Sequence, residues 1–428
     1  MPRRVFITVG EISGDLHAAN FVRELRKLEP DIVVDALGGP NLRDAGATVH
    51  YDTVSRATMG LRALLKAFEV RRLLKWTEDF CRKNPADLHV CVDSWAMNWH
   101  FARLGKRLGK PVLYYIAPQA WASRPSRAKA MKACVDRLAC IVPFEEEWFG
   151  SRGVPTTFVG HPLFDEVSLR PAAKHDGLIV GLLPGSRKGI AKNNFPRLLE
   201  VAKRILSEVP GVRFHVPVTE STEQIVRNEL SMRGFTPSPG TPGEGWGEGL
   251  QKSKPSGSST VVQSPHPNPL PEYRERGQET FFVERDSFDD LVPDCDLCIT
   301  VSGTATLHVA AHQVPMIVVF YGSRLAWNLI GRWLISARTF AMVNILSPTG
   351  QRIVPEFIPW NGPVEPVGQC AIDLLRSPGK LAEQRKLLAQ TLAPLAQSGA
   401  SRKAAELARQ LMDKSAPPVI VSPPRWQS

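Results

Sequence analysis

Short apolar runs alternate with amphipathic helical patterns through the first 170 residues. Residues 5–9 (VFITV) precede a helical pattern at 15–28 with Leu16, Phe21, Val22 and Leu25 on its apolar side. Further runs follow at 32–37, at 88–92 before a helical pattern at 96–108, at 112–116 and at 138–142. Uninterrupted apolar runs separated by helices predict parallel strands covered on both faces. A second series begins with the run 178–183, then the helical pattern 195–207 and runs at 212–217, 281–284, 297–301 and 316–321. The expected fold is α/β, with two Rossmann-like domains facing a cleft. The boundaries read as 1–170 for the first domain and 178–415 for the second. Within the second, residues 236–279 are about one third Pro and Gly and lose all apolar periodicity, so they predict a disordered insertion. Residues 416–428 carry four prolines and predict a loose tail.

Composition narrows the functional class. The chain has 428 residues, 43% of them hydrophobic, enough for two sizeable cores. It contains no apolar run of about 18 residues, and the apolar stretch after Met1-Pro2-Arg3-Arg4 ends at Glu11, so neither a membrane span nor a signal peptide is expected. A cytoplasmic location follows. Seven cysteines, an odd number spread along the chain, fit reduced thiols. Cys295-x-x-Cys298 has no second pair and lies at an apolar run, so a structural reading is preferred and no cofactor or metal is indicated. A net charge of +11 calls for an anionic partner. No zinc-finger spacing, RNA-binding aromatic signature or basic-zipper pattern occurs, which argues against nucleic acid.

Three turns carry candidate chemistry. Gly10-Glu11-Ile12-Ser13-Gly14-Asp15 joins the first strand to its helix; its spacing differs from the dinucleotide fingerprint, but its glycines let a ligand approach the backbone. Leu183-Pro184-Gly185-Ser186-Arg187-Lys188 places two cations at a small-residue turn, which suits a diphosphate. In Val301-Ser302-Gly303-Thr304-Ala305-Thr306 a strand feeds straight into a helix start, where free N–H groups attract anions. The last two turns together suggest a nucleoside diphosphate.

These turns, with Gly38-Gly39-Pro40, Met59-Gly60, Pro118-Gln119-Ala120-Trp121-Ala122-Ser123-Arg124-Pro125, Val142-Pro143-Phe144-Glu145, Val159-Gly160-His161-Pro162, Asn344-Ile345-Leu346 and Val354-Pro355-Glu356-Phe357, resemble the lipid-A-disaccharide synthase family in their order along the chain. The resemblance implies the GT-B architecture and an inverting transfer of 2,3-diacylglucosamine from its UDP derivative to the 6-hydroxyl of 2,3-diacylglucosamine 1-phosphate. It implies Asp93 as general base and matches Glu11 to the carboxylate of the family's first turn; His17, one turn into the helix, is the runner-up base by its position, and the alternative for Asp93 is a helix cap for residue 96 onward. Ser186, Arg187, Gly303, Thr304, Ala305, His308, Asn344 and Glu356 would bind the UDP-sugar without metal. Ser13, Gly14, Asp15, Met59, Trp121 and Arg124 would serve the acceptor. Leu64, Leu65 and Phe68, on an apolar helical face shared with Leu61 and Leu73 and flanked by Arg62, Lys66 and Arg71, would meet an anionic membrane surface on the inner face of the cytoplasmic membrane. The family tends to dimerise by exchanging C-terminal segments, so a homodimer is among the implied partners.

Three positions depart from the family pattern: His308 stands for a usual Glu, Asp93-Ser94-Trp95-Ala96-Met97-Asn98 lacks the usual second acid, and Pro359 stands for a Gln. Two other readings stay open on the sequence: a UDP-sugar GT-B enzyme of different specificity, such as a 2-epimerase or a lipid-linked transferase, and an inactive lipid-binding relative.

Overall fold

The structure is a computed structural model that describes residues 2–54, 63–167, 169–170, 172–235, 238–239, 280–303, 305–321 and 339–413, with side chains of the helix at 63–83 described from 69 onward. The described chain divides into two compact units. One takes its residues from Met1–Ser168 and Ala389–Ser428, the other from Leu169–Ser323 and Phe340–Leu388.

The first unit is built on a seven-stranded parallel sheet of β1 (Arg4–Val9), β2 (Val33–Gly38), β3 (Thr48–Asp52), β4 (Leu88–Val92), β5 (Val112–Tyr115), β6 (Arg137–Cys140) and β7 (Thr156–Phe158), in the order β3-β2-β1-β4-β5-β6-β7. All of β4 and β5 is buried, as expected of strands covered by helices on both faces. Ile12–Leu28 covers one face with Ala18, Ala19, Phe21, Val22 and Leu25. On the other face, Trp95–Arg107 buries Phe101, Ala102 and Leu104. The strand order reverses direction between β1 and β4, and open α/β sheets bind ligands at the carboxyl ends of strands at such a point.

The second unit repeats the scheme with β8 (Ile179–Leu183), β9 (Arg213–Val218), β10 (Ser238–Pro239), β11 (Phe281–Arg285), β12 (Leu297–Val301), β13 (Met316–Val319) and β14 (Glu356–Phe357), in the order β10-β11-β9-β8-β12-β13-β14, all pairs parallel. Its switch point lies between β8 and β12. Lys188–Glu208 packs on this sheet through Phe195, Leu198, Leu199, Val201, Ala202 and Ile205. Cys295 and Cys298 are both buried there.

Three expectations need correction. The second unit does not run from 178 to 415: its chain leaves after residue 388, and the helix Ala400–Met412 packs in the core of the first unit through Ala404, Ala405 and Ala408, in one cluster with Phe21, Val22 and Leu25. Asp165 holds the start of that helix by accepting the N–H groups of Gly399 at 2.5 Å and Ser401 at 2.8 Å, the interaction that stabilises a helix N-terminus. The stretch expected to be disordered from 236 contains a short edge strand, because Ser238 and Pro239 pair with β11; residues 236–237 and 240–279 lie outside the described residues, as does the tail 416–428. In the helix Ala63–Lys83, Leu73 does not face outward. It is 4% exposed and joins the core with Cys81 and Phe101. No helix among the described residues is long and apolar enough to cross a membrane.

Candidate functional site

In the first unit, the pairing of Val9 with Val92 sets the ends of β1 and β4 side by side. The residues that follow, Gly10-Glu11 and Asp93-Ser94, therefore meet at the switch point. A side chain at Gly10 would begin 3.0 Å from Ser94 Oγ, and one at Gly14 would begin 3.7 Å from Asp93 Cβ. Glycine at position 10 lets the two turns close on each other, while at Gly14 the tight neighbour is Val9 Cγ1 at 3.0 Å. Asp93 is half-buried and has a left-handed backbone, φ 51°, followed by Ser94 at φ 42°. Ser94, not Asp93, occupies the cap position of Trp95–Arg107, and its hydroxyl makes no capping bond. That hydroxyl is buried and has no hydrogen-bond partner among the described residues.

Glu11 sits at the cap position of Ile12–Leu28 in extended conformation, half-buried. Ile12 and Ser13 beyond it are exposed. Below them, His17 Nδ1 lies 2.8 Å from Glu166 Oε1, the same oxygen that accepts Asn20 Nδ2 at 2.8 Å. A carboxylate on one ring nitrogen fixes the orientation of an imidazole and supports a base role for the other. Glu166 carried no signal in the sequence, because its partner lies 149 residues away.

Asp15 is placed differently from the expectation. It is fully buried, and its carboxylate accepts the N–H groups of Gly39 at 2.7 Å and Asn41 at 2.9 Å, at the turn after β2. A Cβ on Gly39 would lie 2.6 Å from Asp15 Oδ2, which accounts for the glycine. Both carboxylate oxygens serve backbone donors, so Asp15 is left out of the site proposed below. Trp121 is half-buried and donates its Nε1–H to Glu145 Oε1 at 2.9 Å. Glu145 is 1% exposed, its other oxygen has no partner among the described residues, and burial pushes its carboxyl up to about 7 against the opposing hydrogen bond from Trp121. Arg124 is exposed. Met59 and the side chains of Leu64, Leu65 and Phe68 lie outside the described residues.

In the second unit, the pairing of Leu183 with Thr300 aligns the ends of β8 and β12. Gly185 takes φ 97°, Ser186 and Arg187 are exposed, and Arg187 stands at the cap position of the 21-residue helix Lys188–Glu208. The Ser186 carbonyl accepts the Ser221 hydroxyl at 2.9 Å, which ties this turn to the end of β9. Ser302 is anchored by its N–H to Val319 O at 2.9 Å. Gly303 is exposed at φ 153°, and its carbonyl accepts the Thr306 hydroxyl at 2.7 Å. Thr304 lies outside the described residues, and Ala305 opens the helix Ala305–Ala311. His308, one turn on, is half-buried and edge-on to Phe288 at 5.5 Å. The turn after β8 thus combines a guanidinium with the N-terminus of a long helix, a pairing suited to phosphate oxygens.

Asn344 and Glu356 also differ from the expectation. Asn344 is 4% exposed; its Oδ1 accepts Ile353 N–H at 2.7 Å and Val354 N–H at 2.9 Å, and its Nδ2 donates to Val354 O and Glu356 Oε1 at 2.9 and 2.6 Å. Glu356 in turn accepts the N–H groups of Phe340 and Ala341, each at 3.0 Å. The pair fastens β14 and its approach, and Asn344 has no polar capacity left for a nucleotide. Pro359, the third departure, follows β14 after a cis bond from Ile358.

The sequence model of the lipid-A-disaccharide synthetase family matches residues 5–233 and 270–411. The chain belongs to that family. The matched span passes over 234–269, which overlaps most of the Pro- and Gly-rich stretch at 236–279. A lipid-A-disaccharide synthase of Geobacter metallireducens is 32% identical over 427 residues, covering 96% of this chain and 98% of the relative. One from Geobacter sulfurreducens is 32% identical with the same coverage. Among solved structures, MurG of Acinetobacter baumannii superposes with a TM-score of 0.53 at 13% identity, covering 96% of this chain and 100% of that one. A UDP-GlcNAc 2-epimerase from Neisseria meningitidis gives 0.56 at 10% identity, covering 97% and 100%. The fold is the two-domain α/β GT-B fold, and membership in the lipid-A-disaccharide synthetase family makes the chain a glycosyltransferase of lipid A synthesis.

Proposed function

We propose that this chain transfers 2,3-diacylglucosamine from UDP-2,3-diacylglucosamine to the 6-hydroxyl of 2,3-diacylglucosamine 1-phosphate, with inversion at the anomeric carbon and release of UDP. The observation that carries this reading is the coincidence of the family's first turn with a carboxylate at the sheet's switch point, where Gly10 closes on Ser94 and Gly14 lies beside Asp93. Asp93 takes the proton from the acceptor hydroxyl as it attacks. Arg187 and the N–H groups at the start of Lys188–Glu208, with the turn at Gly303, hold the departing diphosphate and stabilise its growing charge. His17, oriented by Glu166, is the second candidate for the base. The acyl chains call for a bilayer source, and the net charge of +11 suits an anionic one. The reaction therefore takes place at the inner face of the cytoplasmic membrane.

The test is an incubation of the full chain with both lipid precursors in mixed micelles, read by mass spectrometry for the disaccharide and by NMR for a β linkage. One UDP should be released per disaccharide. Hydrolysis or epimerisation of the donor without disaccharide would overturn the assignment.

A further inference from the structure

Asp93 and Ser94 are consecutive non-glycine residues in the left-handed region, at φ 51° and 42°. Such a pair persists only where its surroundings over-determine it, and strain of this kind concentrates at functional sites. Two buried side chains supply the determination. Asn98, on the first turn of Trp95–Arg107, is fully buried. Its Nδ2 lies 2.8 Å from Val92 O, 3.0 Å from Asp93 O and 3.1 Å from Thr8 O, and its Oδ1 accepts the Thr8 hydroxyl at 2.7 Å. With an acceptor-only surrounding on one side and a hydroxyl donor on the other, the amide has one orientation. Tyr114, fully buried in β5, donates its hydroxyl to the same Asp93 carbonyl at 2.7 Å. The Asp93 N–H is taken by Tyr115 O at 2.9 Å. The carbonyl of the peptide that follows Asp93 is thus held by two side chains and the N–H of the peptide before it by Tyr115 O, so the backbone is fixed on both sides of the Asp93 Cα, and with it the direction of the Cα–Cβ bond.

We infer that Asn98 and Tyr114 are positioning residues: by holding the Asp93 carbonyl they aim the Asp93 carboxylate at the reacting hydroxyl. This rests on Asp93 being the base. A displacement of the base by about 1 Å is enough to cost a large factor in rate without altering substrate affinity, so the signature of this role is a loss in kcat at constant KM. A purely structural role would appear in thermal stability and leave kcat alone.

The experiment is a double-mutant cycle in the full chain, with Tyr114→Phe, Asn98→Ser, Asp93→Asn and each combination with Asp93→Asn. Tyr114→Phe removes one hydroxyl and keeps the ring in its packing, so it tests the inference even if Asn98→Ser folds poorly. Expected are a fall of about tenfold in kcat for Tyr114→Phe and about a hundredfold for Asn98→Ser, KM values for both substrates within about twofold of wild type, and no further loss when either is added to Asp93→Asn. Unchanged kcat in Tyr114→Phe, or losses that multiply with that of Asp93→Asn, overturn the inference while leaving the base in place. Near wild-type turnover in Asp93→Asn alone removes the base assignment and the inference with it, an outcome told apart by that single variant.

Discussion

Replacing Asp15 by alanine separates a structural carboxylate from a substrate ligand. Each of its two hydrogen bonds, to Gly39 N–H at 2.7 Å and Asn41 N–H at 2.9 Å, joins a charged acceptor to a backbone donor in a site where the Asp15 side chain has no solvent exposure. Such bonds contribute about 1.5–3 kcal/mol each, and a donor left unpaired in the interior costs a similar amount. The two bonds share one side chain and do not add in full, so the first unit loses about 3–5 kcal/mol, a large part of the ~5–15 kcal/mol that holds a domain folded. For a unit of this size that corresponds to a fall of about 6–20 °C in its melting transition. Asp15→Asn, which keeps one acceptor oxygen and the side-chain volume, should fall roughly midway. The assay is calorimetry alongside steady-state kinetics at a temperature where both variants stay folded. Once folded, each variant should show a KM for the acceptor within about twofold of wild type. An Asp15→Ala protein that melts with the wild type but binds acceptor poorly would refute the reasoning.

Glu145 titrates near 7 rather than its ordinary 4.5, so the folded protein keeps this proton to higher pH than the unfolded chain does. Stability is then lost as pH rises from about 4.5 through 7, by up to roughly 3 kcal/mol; Glu145→Gln should gain on the wild type between pH 5 and pH 8 in denaturant midpoints, and parallel curves would contradict this. Arg187→Ala should raise the donor KM by about 10- to 100-fold, the worth of one charge-assisted contact to a phosphate, while an unchanged UDP affinity by calorimetry would remove Arg187 from the donor site. Replacing residues 240–269 by a short Gly-Ser linker, with Ser238 and Pro239 kept for their pairing to β11, should move the melting transition by less than about 2 °C, since the entropy of closing a connection depends weakly on its length; collapse of the second unit would show that the segment packs.

The central strands were legible because burial on both faces demands unbroken apolar runs: residues 88–92 and 297–301 were read with the bounds that the structure gives them. Thr48–Asp52 and Thr156–Phe158 were not, since these strands are largely half-exposed and the second has three residues, too few for a pattern. The return of Ala400–Met412 to the first unit depends on Asp165 and on the face of Ile12–Leu28, contacts more than 200 residues apart in sequence that periodicity cannot register. The same limit applies to the site. Gly10 and Asp93 were legible as turn residues at the ends of apolar runs. Asp15 and Asn344 looked like ligand-binding groups because their motifs do, but the backbone N–H groups that occupy them come from elsewhere in the chain. Asn98 was visible as the last residue of a six-residue motif, and only the fold shows that it holds the carbonyl of the first.

Asp93→Asn, assayed by single-turnover disaccharide formation across pH with UDP affinity measured in parallel, bears most directly on how this family member works. Asparagine keeps the shape of the side chain but cannot take the hydroxyl proton. The account predicts a rate about 10²- to 10⁴-fold below wild type, loss of the acidic limb of the pH profile, and a UDP affinity within about twofold. Near wild-type turnover with the acidic limb intact would contradict it, and if His17→Ala then abolished the reaction in a folded protein, the imidazole oriented by Glu166 would be the base.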